Sequence, residues 1–157
     1  MLTIKIINPI RNKEKIITLP AEEEMLYQIM EEFGDYIVDV QSCELGHILL
    51  PKYIDLDYLN ELVKSILDLS DYEQNELKAI LEAAYNDLDD ALITLDEKNY
   101  QFYPDMNMIE VAEYLVDEGL FGEIPESIIS YIDYESLARD LSYSGYVQTN
   151  YGVIELN

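Results

Sequence analysis

Carboxylates dominate the groups able to do chemistry: 33 Asp and Glu stand against 9 Lys and Arg, with a single cysteine and a single histidine. Cys43 and His47 have a C-x3-H spacing, but zinc takes four protein ligands, or three and a water, and the chain has no other Cys or His. One histidine also leaves no Ser/His/Asp or Cys/His arrangement with a motif around it, and the six glycines form no phosphate-cradling loop. Asp87, Asp89 and Asp90 hint at a calcium loop. The glycine and distal glutamate of EF-hand spacing are missing, however, and a helix cap already accounts for Asp87. A carboxylate pair for acid–base chemistry has no positive support either. The expectation is a protein that is not an enzyme and that needs no cofactor and no metal. Cys43 reads as a small buried residue, Arg139 as the ion-pair partner of Glu135 four residues earlier, and the fourteen tyrosines as core and rim residues.

The formal net charge of -24 lies far outside the magnitude of about 2 to 8 that keeps a small domain soluble, and its self-repulsion opposes the compact state. A protein that grips nucleic acid needs Lys and Arg to displace counterions from phosphates, so direct DNA or RNA binding is excluded. Attraction to an anionic membrane surface is excluded for the same reason. A basic partner, a set of cations or salt-tolerant solubility remains. The surplus is uneven. Lys5, Arg11, Lys13 and Lys15 face only Glu14, whereas residues 16–157 hold 32 acids and 5 bases. Between Asn99 and Ala138 there is no base, while that stretch holds Asp105, Glu110, Glu113, Asp117, Glu118, Glu123, Glu126, Asp133 and Glu135. The opening MLTIKIINPIRNK lacks the apolar core of a secretory signal, and no apolar run approaches the roughly 18 residues that span a bilayer. A cytoplasmic protein is expected.

Those carboxylates need elements to carry them. At 157 residues the chain suits one domain or a few small subdomains. LTIKII and KIITL read as the strands of a hairpin around NPIRNKE. Pro20 opens a helix in PAEEEMLYQIMEEFG, with Glu22, Glu23 and Glu24 against the positive end of its dipole and Gly34 ending it. YIVDVQS and HILLP read as further strands, closing a small α/β unit over residues 1–52. An acidic helical section follows over 53–98. Leu59, Leu62, Val63, Ile66 and Leu67 form an apolar side, with Asp57, Glu61, Lys64 and Asp68 opposite. Ser70 with Glu73 is a capping box for a helix whose apolar side is Leu77, Ile80, Leu81 and Ala84, and Asp87 with Asp90 starts a shorter helix through Leu95. In residues 99–157, YQFYP reads as an edge strand, Asn107 with Glu110 caps a helix ending at Gly119, and Asp133 caps DYESLARDLS. YVQTNYGVIEL closes the chain as a hairpin. The fold class is α+β.

Turned at 100° per residue, the helix over 108–118 gathers Met108, Ile109, Ala112, Leu115 and Val116 on one side and Glu110, Glu113 and Asp117 on the other. A charge at every third or fourth position gives one per roughly 5 Å of axis, against one phosphate per about 3.4 Å on each strand of DNA. At duplex density, 24 charges correspond to roughly 40 Å of DNA. Charge rows opposite an apolar stripe are ordinarily just solvated faces. Such faces usually mix Lys with Glu, and here long stretches do not.

The C-terminal third adds a motif. Gly122-Glu123-Ile124-Pro125, then Tyr131-Ile132-Asp133-Tyr134, then Ala138-Arg139-Asp140-Leu141, then a polar-tipped hairpin, resembles in order and spacing the end of ArdA-type antirestriction proteins. The first two thirds match that family in plan. The resemblance implies an elongated homodimer that inhibits type I restriction-modification enzymes by mimicking DNA, meeting their DNA-recognition subunit and methyltransferase core. It implies Asp133 and Glu135 as part of a phosphate-like surface, to which the charge pattern itself adds Asp57, Glu61, Asp68, Asp105, Glu110, Glu113, Asp117, Glu118, Glu123 and Glu126. Tyr131, Ile132 and Leu141 fit as packing or dimer-contact positions. The competing expectation is an acidic protein-interaction module aimed at another basic nucleic-acid-binding surface, such as an anti-CRISPR or repressor-binding protein.

Overall fold

The computed structural model describes residues 1–85 and 87–157. The chain forms two compact units, Met1–Leu92 and Ile93–Asn157. Strands and helices are both present in quantity, and the sheets are antiparallel, as an α+β chain requires.

In the first unit, β1 (Leu2–Asn8) lies between β2 (Lys13–Leu19) and β3 (Ile37–Cys43), antiparallel to both. Its alternation is strict: Leu2, Ile4 and Ile6 are buried while Thr3, Lys5 and Ile7 are half-buried. α1 (Glu23–Phe33) buries Leu26, Ile29 and Phe33 and stops at Gly34, whose φ of 63° favours glycine. Asn8 ties the hairpin to that stop, because its Nδ2 donates to the Phe33 carbonyl at 2.6 Å and its Oδ1 accepts from the Arg11 N–H at 2.8 Å.

α2 (Leu56–Leu67) is capped by Asp55, which accepts from the Tyr58 N–H at 2.9 Å. α3 (Asp71–Ile80) carries the Ser70/Glu73 capping box. It runs into a π turn over Leu81–Tyr85. α4 (Leu88–Glu97) starts on Asp87, whose Oδ1 accepts from the N–H groups of Asp89 and Asp90 at 3.0 and 3.2 Å.

Four expectations change here. Pro20 does not open α1, which begins at Glu23 with Glu22 as a cap that makes no side-chain bond. The residue between them is held out of the helix by buried Asn60, whose Oδ1 accepts from the Ala21 N–H at 2.8 Å and whose Nδ2 donates to the Ala21 carbonyl at 3.0 Å. HILLP is not a strand: Leu49 makes only an isolated bridge to Asp87. Pro51 lacks the N–H a ladder requires, and among the described residues no neighbouring strand extends the pairing beyond that bridge. Leu67 is exposed because the buried stripe of α2 runs through Leu56, Leu59, Asn60, Val63 and Ile66 instead. Ala84 is exposed, since the π turn in which it lies adds a residue to the turn and breaks the 3.6-residue phase.

In the second unit, β6 (Gly152–Leu156) is central between β4 (Tyr100–Pro104) and β5 (Tyr146–Thr149), so β4 is an edge strand. α5 (Met108–Asp117), the single-turn α6 (Glu126–Ile129) and α7 (Tyr134–Ser142) complete it. Val111, Ala112 and Leu115 of α5 meet Ala138 and Leu141 of α7 over Val153. Val111 therefore takes the place expected for Ile109, which is exposed; the core centres one residue further round the helix. Gly152 is required by proximity, because a Cβ there would lie 2.2 Å from the Tyr103 carbonyl. Thr149 fixes the hairpin tip: its Oγ1 accepts from the Tyr151 N–H at 3.1 Å and donates to the Gly152 carbonyl at 2.8 Å.

Candidate functional site

All twelve carboxylates singled out from the sequence are exposed: Asp57, Glu61, Asp68, Asp105, Glu110, Glu113, Asp117, Glu118, Glu123, Glu126, Asp133 and Glu135. In the first unit Asp57 and Glu61 of α2 line an open cleft of about 520 Å³ together with Glu23, Glu24 and Tyr27 of α1. Lys64 is the base nearest this group, with Nζ 2.6 Å from Glu61 and 3.8 Å from Glu23. Its ammonium is held up chiefly by the Glu61 hydrogen bond. Tyrosine hydroxyls extend the surface. Tyr27 donates to Glu31 and Tyr58 to Asp89, each at 2.8 Å, and those carboxylates push both phenols up, so they remain neutral donors. Glu23, Glu24 and Tyr27 were not among the expected site residues. The sequence shows Glu23 and Glu24 only as complements to the α1 dipole, and the cleft exists only once α1 lies beside α2.

In the second unit Glu110, Glu113 and Asp117 share the outer face of α5, although Glu110 also accepts from the Asn107 N–H at 2.8 Å to complete a capping box. Asp117 and Glu118 sit at the negative end of that helix with no base in its last turn, where a carboxylate is unfavourable. Helix stability therefore does not explain them. Glu123 and Asp117 line a cleft of about 490 Å³ with Gly119, Gly122 and Pro125. Glu126 begins α6 and Glu135 lies in the first turn of α7. Asp133 caps α7, accepting from the Ser136 N–H at 3.0 Å and the Ser136 hydroxyl at 2.7 Å. These bonds, with a smaller contribution from Arg139, hold its carboxyl below the ordinary range.

Arg139 does not pair with Glu135: among the described residues no ion pair joins them, and its charge acts on Asp133 instead. Cys43 is half-buried rather than buried, because β3 ends there; its thiol is pushed up by burial and accepts from the Leu45 N–H at 3.4 Å. His47 is exposed. Leu141 lies in the core, Ile132 is half-buried, and Tyr131 is 84% exposed. Tyr131 ends an apolar surface run with Leu120, Phe121, Ile128 and Ile129, interrupted by Glu123 and Glu126. Among the described residues no helix is long and apolar enough to cross a membrane.

The chain is thus an acidic α+β protein whose twelve expected carboxylates all lie on the surface with few bases among them. Compared with known families, residues 12–155 match the antirestriction protein family ArdA. That span covers most of the chain, including the N-terminal region where the likeness was one of plan, and the chain belongs to the ArdA antirestriction family. No curated protein matches it.

Proposed function

We propose that the protein inhibits type I restriction-modification enzymes by presenting its carboxylates as a surrogate for the DNA phosphate backbone. It meets the DNA-recognition subunit and the methyltransferase core in the cytoplasm, acts as a homodimer, and catalyses nothing itself. The observation that carries this reading is the outward surplus of the second unit, which holds 13 acids and 2 bases with no ion pair among its described residues. Self-repulsion of that size opposes folding, so a partner that neutralises it gains both Coulomb energy and released counterions. A dimer doubles the length of duplex it can imitate.

The test is a plating assay with unmodified phage on a strain carrying a type I enzyme, with and without the protein, paired with purified enzyme binding a labelled duplex. Rescue of plating together with displacement of the duplex is the expected result. Rescue with the duplex still bound would overturn the mimicry.

A further inference from the structure

The second unit contains a groove that its acidic surface does not explain. It has a volume of about 560 Å³, within the range of ligand clefts, and its walls are aromatic: Tyr103 of β4, Tyr114 of α5, Tyr146 of β5, and Phe121 with Leu120 beyond α5. Tyr103 and Tyr114 meet edge to face, with ring centres 5.8 Å apart and planes at 66°, and so form a corner. Tyr146 also neighbours Tyr103, with ring centres 6.2 Å apart and planes tilted by 31°. Glu155 of β6 borders the same groove, and burial together with that neighbouring carboxylate pushes the Tyr146 phenol up.

Rings that served only the core would be covered, yet Tyr114 is 39% and Phe121 49% exposed. Aromatic faces carry the negative lobe of the ring quadrupole and attract a cation within about 6 Å of the centroid. Glu155, half-buried at the groove wall, adds a carboxylate whose two oxygens offer acceptor positions to a cation entering the groove. The surrounding unit carries 13 acids and 2 bases, which raises the local concentration of any cation and repels anions. Among cationic side chains, the guanidinium is planar, weakly hydrated and able to stack on rings while hydrogen-bonding a carboxylate; an ammonium is compact and strongly hydrated.

We propose that this groove is an arginine-binding site, which takes one guanidinium side chain of the protein partner between the tyrosine faces and Glu155. Assigning the arginine to a restriction enzyme rests on the function proposed above; the site itself does not. It adds to the acidic surface a single shaped contact that a diffuse charge field lacks, and so a means of fixing register on the partner.

The experiment follows the tyrosine ring and Glu155 signals of the full-length protein by NMR during titration with Nα-acetyl-arginine amide, and separately with its neutral isostere Nα-acetyl-citrulline amide. Arginine amide should shift Tyr103, Tyr114, Tyr146 and Glu155 to saturation, and citrulline amide should bind about fivefold or more weakly. Tyr114→Leu and Glu155→Gln should each weaken arginine binding several-fold, Tyr114→Leu at an exposed position that leaves the core intact. Equal binding of citrulline, shifts spread over the whole acidic surface, or unchanged affinity in both variants would overturn the site. No enzyme is present in this assay. A failed titration beside intact inhibition therefore removes only the groove, and a successful titration beside absent inhibition removes only the function proposed above.

Discussion

The first unit carries 20 acids and 7 bases, the second 13 acids and 2 bases, and the two use their charges differently. In the first, Lys5 reaches Glu14 at 3.4 Å, Lys13 reaches Glu32 at 3.0 Å, and Lys64 bridges Glu61 and Glu23, so bases are set among the acids where strands and helices meet. In the second, no described carboxylate has an ion-pair partner, and acids occupy even the unfavourable end of α5. The first unit thus uses part of its charge to hold itself together. The second is held by an apolar core, close backbone contacts and the caps of Glu110 and Asp133, with no ion pair among its described residues.

That contrast can be broken most decisively in the second unit's backbone. Gly152→Ala sets a Cβ against the Tyr103 carbonyl at a φ of 134° and should cost about 3 kcal/mol or more, read as a lowered midpoint in urea unfolding. A small loss would mean that β4 and β6 are less tightly fixed than described. Next in size, converting Glu113, Asp117 and Glu118 together to their amides should leave thermal stability unchanged or raised while weakening enzyme binding by about tenfold or more. The same neutralisation of Glu14, Glu32 and Glu61 should weaken binding less and lower stability. Reversal of the two outcomes would remove the distinction between the units.

Smaller effects sharpen it. Asn107→Ala deletes a cap that accepts from the N–H groups of Ile109 and Glu110, and should cost about 1 kcal/mol in chemical denaturation with inhibition retained. Asp133 has a folded pKa below its unfolded one, so its stabilisation is present above the unfolded value and is lost as pH falls through the folded value. Below about pH 4 the wild type should therefore lose stability more steeply than Asp133→Asn, which keeps a capping oxygen but does not titrate. Parallel melting curves across that range would contradict the assignment.

What the sequence revealed and what it concealed follow the range of the interactions. The caps at Ser70, Asp87, Asn107 and Asp133 lie within three residues of the N–H groups they satisfy, and each is legible from its neighbours. The outward carboxylates were equally legible, because a 3.6-residue period sorts them from the apolar stripe. The rest depends on distant partners. Asn60 looks like a polar interruption in α2 until Ala21, thirty-nine residues earlier, is found bonded to it. The π turn at Leu81–Tyr85 shifts the phase with no local mark. Tyr103, Tyr114, Tyr146 and Glu155 belong to four different elements and become one groove only when β4, α5, β5 and β6 assemble.

The decisive measurement is the dissociation constant for a purified type I enzyme across a range of salt concentrations, for the wild type and for the Glu113/Asp117/Glu118 amide variant. A steep loss of affinity with salt is expected for the wild type, with a shallower slope for the variant and competition by duplex DNA in both. Tight binding indifferent to salt, or identical slopes for the two proteins, would rule out phosphate mimicry.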